Sequence, residues 1–486
     1  MMSRRSIFPL CTALSLALAV ACDRSADRIT GAPASGPSVQ GEPQLSLAAN
    51  DLHVADVEQL YAAVNDRANE GASIELEPGT YLLSATDASG VARPNAGRLE
   101  LQRDMSLSGS TDDRSAVVID ASRLPTSSFT ASFGRTAPVR IGRGSNTIEW
   151  LTVQGNPQAA GGIATELGGT LPTRIRVAHV VSGGSSRGLD VRNVGVANAG
   201  RRIDAEILDN EFVGPTLVVG MSEGIRLANF VGADGGVIVG TLSGNRVHGF
   251  QIGCIVANNR SSDAVVHARS SGDRFFGNAL GCLIAGGLSQ AATGVADRNT
   301  TTFKAHGSAF VDNTAAVAGF PPGGIAVIGA RSILKANVAS DNTVRVSLWG
   351  TRVSGNEGVD FEVYGALQDA LLGVAGTNNH AIVELHGVSK QIDVVRTASR
   401  PTESAGTNTV SVTPSARVGR SARDRRGREA ITPFPSSIAW LGADSPAARS
   451  SSVMSDPRGT SLSESSPDAR RHGWPDGAWT ARTGRQ

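Results

Sequence analysis

The phrase GCIV at Gly253 returns as GCLI at Gly281, and the same pattern recurs as GLDV at Gly188, GIRL at Gly224, GIAV at Gly324 and GVDF at Gly358. In each copy the residue after glycine and the residue two further on are apolar, which defines two series. The first is Leu189, Ile225, Cys254, Cys282, Ile325 and Val359; the second is Val191, Leu227, Val256, Ile284, Val327 and Phe361. Side chains that repeat every second residue on one side are the mark of a strand. A second unit precedes most copies: VQGN ending at Asn156, ILDN at Asn210, LSGN at Asn245, SSGD at Asp273, FVDN at Asn313 and VSGN at Asn356. Asn or Asp beside Gly at a strand end is corner chemistry, because these residues tolerate a left-handed backbone. The insert between this corner and the next glycine varies in length, so the strands are expected to keep step while one turn grows. Short strands at intervals of 28 to 43 residues, without helical periodicity between them, predict an all-β parallel solenoid whose coils lie about 4.8 Å apart. Leucine-rich, ankyrin and WD40 signatures are absent.

The N-terminal part of this region adds a helix. In DVEQLYAAVNDRANEGASIELEPGTYLLS, Asp56 to Ser84, residues Val57, Leu60, Tyr61 and Val64 share one helical face and IELEPGTY follows as strand and turn. LELQRDMSLSGS, Leu99 to Ser110, and AVVIDAS, Ala116 to Ser122, continue in the same style. These segments resemble right-handed parallel β-helix proteins of the pectin lyase-like superfamily, and the resemblance covers residues 51–412. It implies a capping helix over the first coil. It also implies binding or cleavage of polysaccharide along an outward strand face, where lyases of the class commonly pair calcium-binding acids with an Arg or Lys base.

The ends of the chain read differently. Arg4 and Arg5, the apolar run Ile7 to Val20 and the sequence LAVAC, Leu18 to Cys22, have the order of a secretory signal, with Cys22 as a lipidation site or else a plain cleavage point. SRRSIF, Ser3 to Phe8, resembles a twin-arginine export signal. Residues 1–22 are therefore expected to direct export, and the Pro/Gly/Ser-rich stretch 23–50 to act as a tether. The tail 413–486, with its basic run RVGRSARDRRGRE at Arg417 to Glu429, is expected to be disordered. A formal net charge of +1 gives no basic field for nucleic acid. The expected state is a monomer that meets a membrane only through a lipid anchor. Of four cysteines, Cys254 and Cys282 remain in the body, where they are expected to stack as buried core residues, reduced or joined across the coils.

Candidate chemistry is sparse. Asp190, Arg192 and Arg226 alternate outward and should meet on adjacent coils, either as a site facing a uronate sugar or as an exposed ion pair. GVDFEVYGALQDAL, Gly358 to Leu371, resembles two pectin methylesterase motifs, which would make Asp360 the nucleophile and Gln368 an oxyanion donor; here the motifs stand in reversed order. His248, His267, His306, His380 and His386 show no metal or triad spacing. No metal ligand set is evident, and calcium is expected only if the chain is a lyase. The leading expectation is an exported protein that binds polysaccharide or cell-envelope glycan without catalysis. The alternatives are a polysaccharide lyase or other carbohydrate-active enzyme, and a structural or adhesive surface protein.

Overall fold

The computed structural model describes residues 51–413 except 130–136, 142, 160, 166–170, 217–220, 290–293, 315–321, 333–338, 369–375, 389–393 and 398–406. Cys22, the tether and the tail from residue 414 lie outside the described residues. Within them the chain forms three sheets, of twelve, nine and eleven strands on their main paths. Taken in the order in which each coil visits them, these are the first, second and third sheet. Every strand pairs in parallel with the equivalent strand of the next coil, as Arg202–Leu208 does with Val237–Ser243. The fold is a parallel β-helix. Parallel strands joined by crossovers wind right-handedly, because twisted strands pack back onto a sheet in that sense only.

Inward side chains of the three sheets form one core of stacked columns. The third sheet contributes Leu189, Ile225, Cys254, Cys282, Ile325 and Phe361, each the register partner of the next. The last member differs from the sequence reading, which placed Val359 there; Val359 pairs with Gly323, two residues earlier. The repeated glycine explains the slip. A Cβ on Gly253 would lie 2.6 Å from the Gly281 carbonyl oxygen, and one on Gly281 would lie 2.5 Å from that of Gly324. The coils thus approach too closely there for any side chain. In the last full coil Asp360, not Gly358, stands in this column, its carbonyl over Gly324. Gly358 is glycine for another reason, a left-handed turn at φ 85°.

The corner between the first and second sheets is two residues long in every coil from Glu149 to Arg352. Its first residue is left-handed throughout: Trp150, His179, Asp209, Gly244, Gly272, Gly307 and Gly350. The rings of Trp150 and His179 stack at 4.0 Å, which supports two residues poorly suited to that backbone. The residue after it is buried and forms a column: Leu151, Val180, Asn210, Asn245, Asp273, Ser308 and Thr351. The asparagines are therefore not the left-handed residues. Asn210 Nδ2 donates to Asn245 Oδ1 at 3.0 Å, and Asn245 Nδ2 to Asp273 Oδ1 at 2.8 Å. Asn313 and Asn356 belong to a separate column with Asn278, between the second and third sheets. A third amide column, Asn299, Asn342, Asn379 and Asn408, joins the third sheet back to the first. Both of these latter corners vary in length, so two turns grow and one is fixed.

Helix α1, Val57–Asn65, is capped by Asp56, whose carboxylate accepts from the Gln59 amide. Leu60, Tyr61, Ala63 and Val64 are buried against the strands Asp51–Val54, Gly79–Leu82 and Leu99–Glu100. Those strands are the terminal members of the three sheets. One helix therefore covers the N-terminal end of the core.

Candidate functional site

On the outer side of the third sheet the register runs Asp190, Arg226, Ile255, Leu283, Ala326 and Glu362, with Arg192, Ala228, Ala257, Ala285, Ile328 and Tyr364 beside it. Asp190, Arg192 and Arg226 do meet. Arg226 donates through Nε to Asp190 Oδ1 at 2.8 Å and through Nη2 to Oδ2, while Arg192 Nε lies 3.3 Å from Oδ2. Glu223 and Arg187 extend the group, with Arg187 Nε 2.9 Å from Glu223 Oε2. The exposed ion pair considered from sequence is instead a closed cluster, because Asp190 and Arg226 are 0% exposed. Burial alone would raise the Asp190 carboxyl, but the guanidinium groups of Arg192 and Arg226 outweigh it and hold the carboxyl well below the usual range. A carboxylate so firmly ionised and so fully bonded makes a poor general base near neutral pH. The apolar part of the same face, Ile255, Leu283, Ala326 and Tyr364, is buried as well.

Asp360 and Gln368 do not come together. The Asp360 carboxylate accepts from Asn356 Nδ2 at 2.7 Å. The backbone of Gln368 pairs with Ser332, eight residues along the strand from the Gly324 that faces Asp360, which is about 25 Å. The Gln368 side chain lies outside what the structure describes. Cys254 and Cys282 are register partners, both buried, with free thiols. Burial first, and then the Cys254 thiol beside it, push the Cys282 thiol up.

The first sheet carries a feature that the glycine-marked repeats do not announce. Four of its strands align as VVHARSS, TTTFKAH, TVRVSLW and HAIVELH, beginning at Val265, Thr300, Thr343 and His380. Their outward residues form rows across the coils: His267, Thr302, Arg345 and Ile382, then Arg269, Lys304, Ser347 and Glu384. Thr302 and Ser347 are short and leave a floor, while Arg269, Lys304, Arg345 and Glu384 are long and stand as walls. The result is a groove of about 490 Å³, within the range usual for ligand sites. Ser347 Oγ donates to Glu384 Oε2 at 3.0 Å. Arg269, Lys304 and Arg345 have no carboxylate within ion-pair distance among the described residues. His267 feels them. Partial burial, then Arg202, Arg269 and Lys304, hold its pKa below the usual value. The next outward row holds His306, Trp349 and His386, whose rings stack with centroids 4.5 and 5.2 Å apart. Both faces of Trp349 are occupied by imidazoles, so this row is a rigid rib and not a platform for a sugar ring.

No protein-family model matches the chain, and no curated protein matches it. Among solved structures it is similar to the Azotobacter vinelandii mannuronan C-5 epimerase AlgE6 A-module, with 13% identity and a TM-score of 0.29, over 74% of this chain and 95% of that one. It is also similar to the PL6 family alginate lyase AlyGC, with 10% identity and a TM-score of 0.24, over 74% and 75% of the two chains. The catalytic unit of the GH87 alpha-1,3-glucanase from Streptomyces thermodiastaticus matches at 12% identity and a TM-score of 0.21, over 73% and 70%. Among the described residues no group of three or more His, Cys, Asp or Glu side chains is arranged to hold a metal ion.

Proposed function

We propose that this chain binds polysaccharide or other cell-envelope glycan along the outer face of the first sheet, without transforming it, and that it does so after export and attachment through Cys22. The groove across the strands from Val265 to His386 carries this reading, because it opens to the surface, is walled by the charged side chains of Arg269, Lys304, Arg345 and Glu384, and is floored by short side chains. Its titratable residues are badly placed for glycosidic chemistry. His267 and Glu384 are separated by three coil intervals, or about 14 Å. A glycosidase needs two carboxyl groups about 5 to 9.5 Å apart, and among the described residues Glu384 is the one carboxylate that lines the groove. The third-sheet cluster is no better, since its carboxylate is buried and doubly bonded by guanidinium.

The test is incubation of the full-length protein with a panel of acidic and neutral polysaccharides, with and without calcium, followed by mass spectrometry of the sugars and by equilibrium binding. The expected outcome is measurable binding with chains of unchanged length. Shortened chains with an unsaturated end would establish a lyase in its place. A folded protein that binds no glycan would point to a structural or adhesive role.

A further inference from the structure

The groove differs from the rest of the first sheet in its charge. Upstream on the same face, Arg202 is paired with Asp204 at 2.7 Å and Arg176 lies 3.3 Å from Glu206. In the next coils this pairing stops. Arg269, Lys304 and Arg345 follow on three successive strands with no acidic residue opposite them, Arg345 standing in the row beside that of Arg269 and Lys304. The latter row closes, past Ser347, with Glu384, which is hydrogen-bonded to Ser347 and 3.9 Å from His386. Three positive side chains held side by side repel one another and are stable as a group only because water solvates them. An anion brought to them would be attracted by all three. The stack of coils also sets their spacing: the backbones of Arg269 and Lys304 stand about 4.8 Å apart, comparable to the length of a sugar ring, and that of Arg345, one strand on and two residues out of register, stands about 8 Å from Lys304. Guanidinium groups match carboxylate and sulfate oxygens in a planar fork, and the ammonium of Lys304 adds a movable point charge between them.

We propose that the groove recognises an acidic polysaccharide by direct contact between its carboxylate or sulfate groups and Arg269, Lys304 and Arg345, one from each of three successive coils. This rests on the glycan-binding reading above and narrows it. Recognition is placed on the first sheet, while the outer face of the third sheet is closed by burial from Asp190 to Ala326. No bridging metal is required, since the protein supplies the positive charge itself.

The experiment measures binding of the full-length protein to a polyuronate, to the same polymer after reduction of its carboxyl groups, to a sulfated polymer, and to single-stranded DNA. The double variant Lys304→Glu/Arg345→Glu is compared with Arg274→Glu on the second sheet; all three residues are exposed, so folding is not at stake. The expected result is binding of the polyuronate or the sulfated polymer about tenfold tighter than the neutral one, and about tenfold weaker in the double variant, where tenfold corresponds to about 1.4 kcal/mol. Arg274→Glu and a chelator should leave it unchanged, and raising the salt concentration should weaken it. Preference for carboxylate over sulfate, or the reverse, identifies the acidic group. Equal binding of the neutral polymer, lost in the double variant, would keep the glycan reading and overturn the charge inference. Binding of no polymer would overturn both. Acidic binding that survives the double variant, or DNA bound as tightly as any sugar polymer, would overturn the assignment of this groove.

Discussion

Asp273 stands in the corner column where Asn210 and Asn245 precede it, and it fills the acceptor role of an amide with a carboxylate. Its Oδ2 accepts from Ser270 Oγ at 2.6 Å, so a hydroxyl sits among apolar core neighbours to meet it. Burial raises its pKa to about 6, against the partial opposition of hydrogen bonds from Ser270 and Asn245. In the unfolded chain the value is about 3.9. The folded protein therefore holds this proton more tightly, and its stability falls as pH rises from about 4 through about 6. Asp273→Asn keeps the acceptor and removes the charge. The variant should be more stable than the parent by about 3 kcal/mol at pH 7.5 and equal to it at pH 4, measured by urea denaturation at both pH values. An equal gain at both would mean that packing, not ionisation, separates the two residues.

At the scale of the strand, the glycine column is what made the coil readable, and it is also where the reading slipped. The phrase Gly-x-apolar was legible because close approach of consecutive coils forbids a side chain at Gly188, Gly224, Gly253, Gly281 and Gly324. In the last copy a turn glycine, Gly358, lies two residues from the column, and the pattern alone cannot tell a glycine needed for φ from one needed for contact. The groove escaped for a different reason. His267, Arg269, Lys304 and Arg345 lie on strands with no repeated phrase, and only their alternation in VVHARSS, TTTFKAH and TVRVSLW would have brought them into rows. The burial of Asp190 and Arg226 was also invisible, since alternation says which side a residue faces and not whether that side is covered. The two glycine roles predict different costs. In Gly281→Ala the new methyl would meet the Gly324 carbonyl at 2.5 Å, and the variant should lose about 3 kcal/mol. Gly277, left-handed at φ 61° with open space around it, should lose about 1 kcal/mol on the same change. Equal shifts in urea midpoint would show that contact is not what selects the glycine.

For the molecule as a whole, each coil touches chiefly its neighbours, so stability is expected to be a sum over coils and their interfaces. Removing Gly253–Leu280 takes out one strand from each sheet and brings Gly281 to the place of Gly253. The shortened protein should keep its β-sheet circular dichroism and a single unfolding transition, with a lower midpoint. An aggregated product or two separate transitions would show that the coils are not interchangeable. The same excision removes Arg269 while leaving Lys304 and Arg345 in step.

The two-residue corner between the first and second sheets, unchanged through the seven coils from Glu149 to Arg352, makes the outer rows of the first sheet a graduated rule. Whatever lengthens the other turns cannot shift one mark against the next. A gene for such a chain can therefore adjust the valency of its binding face by whole graduations, through gain or loss of a coil, and leave the spacing of the scale untouched.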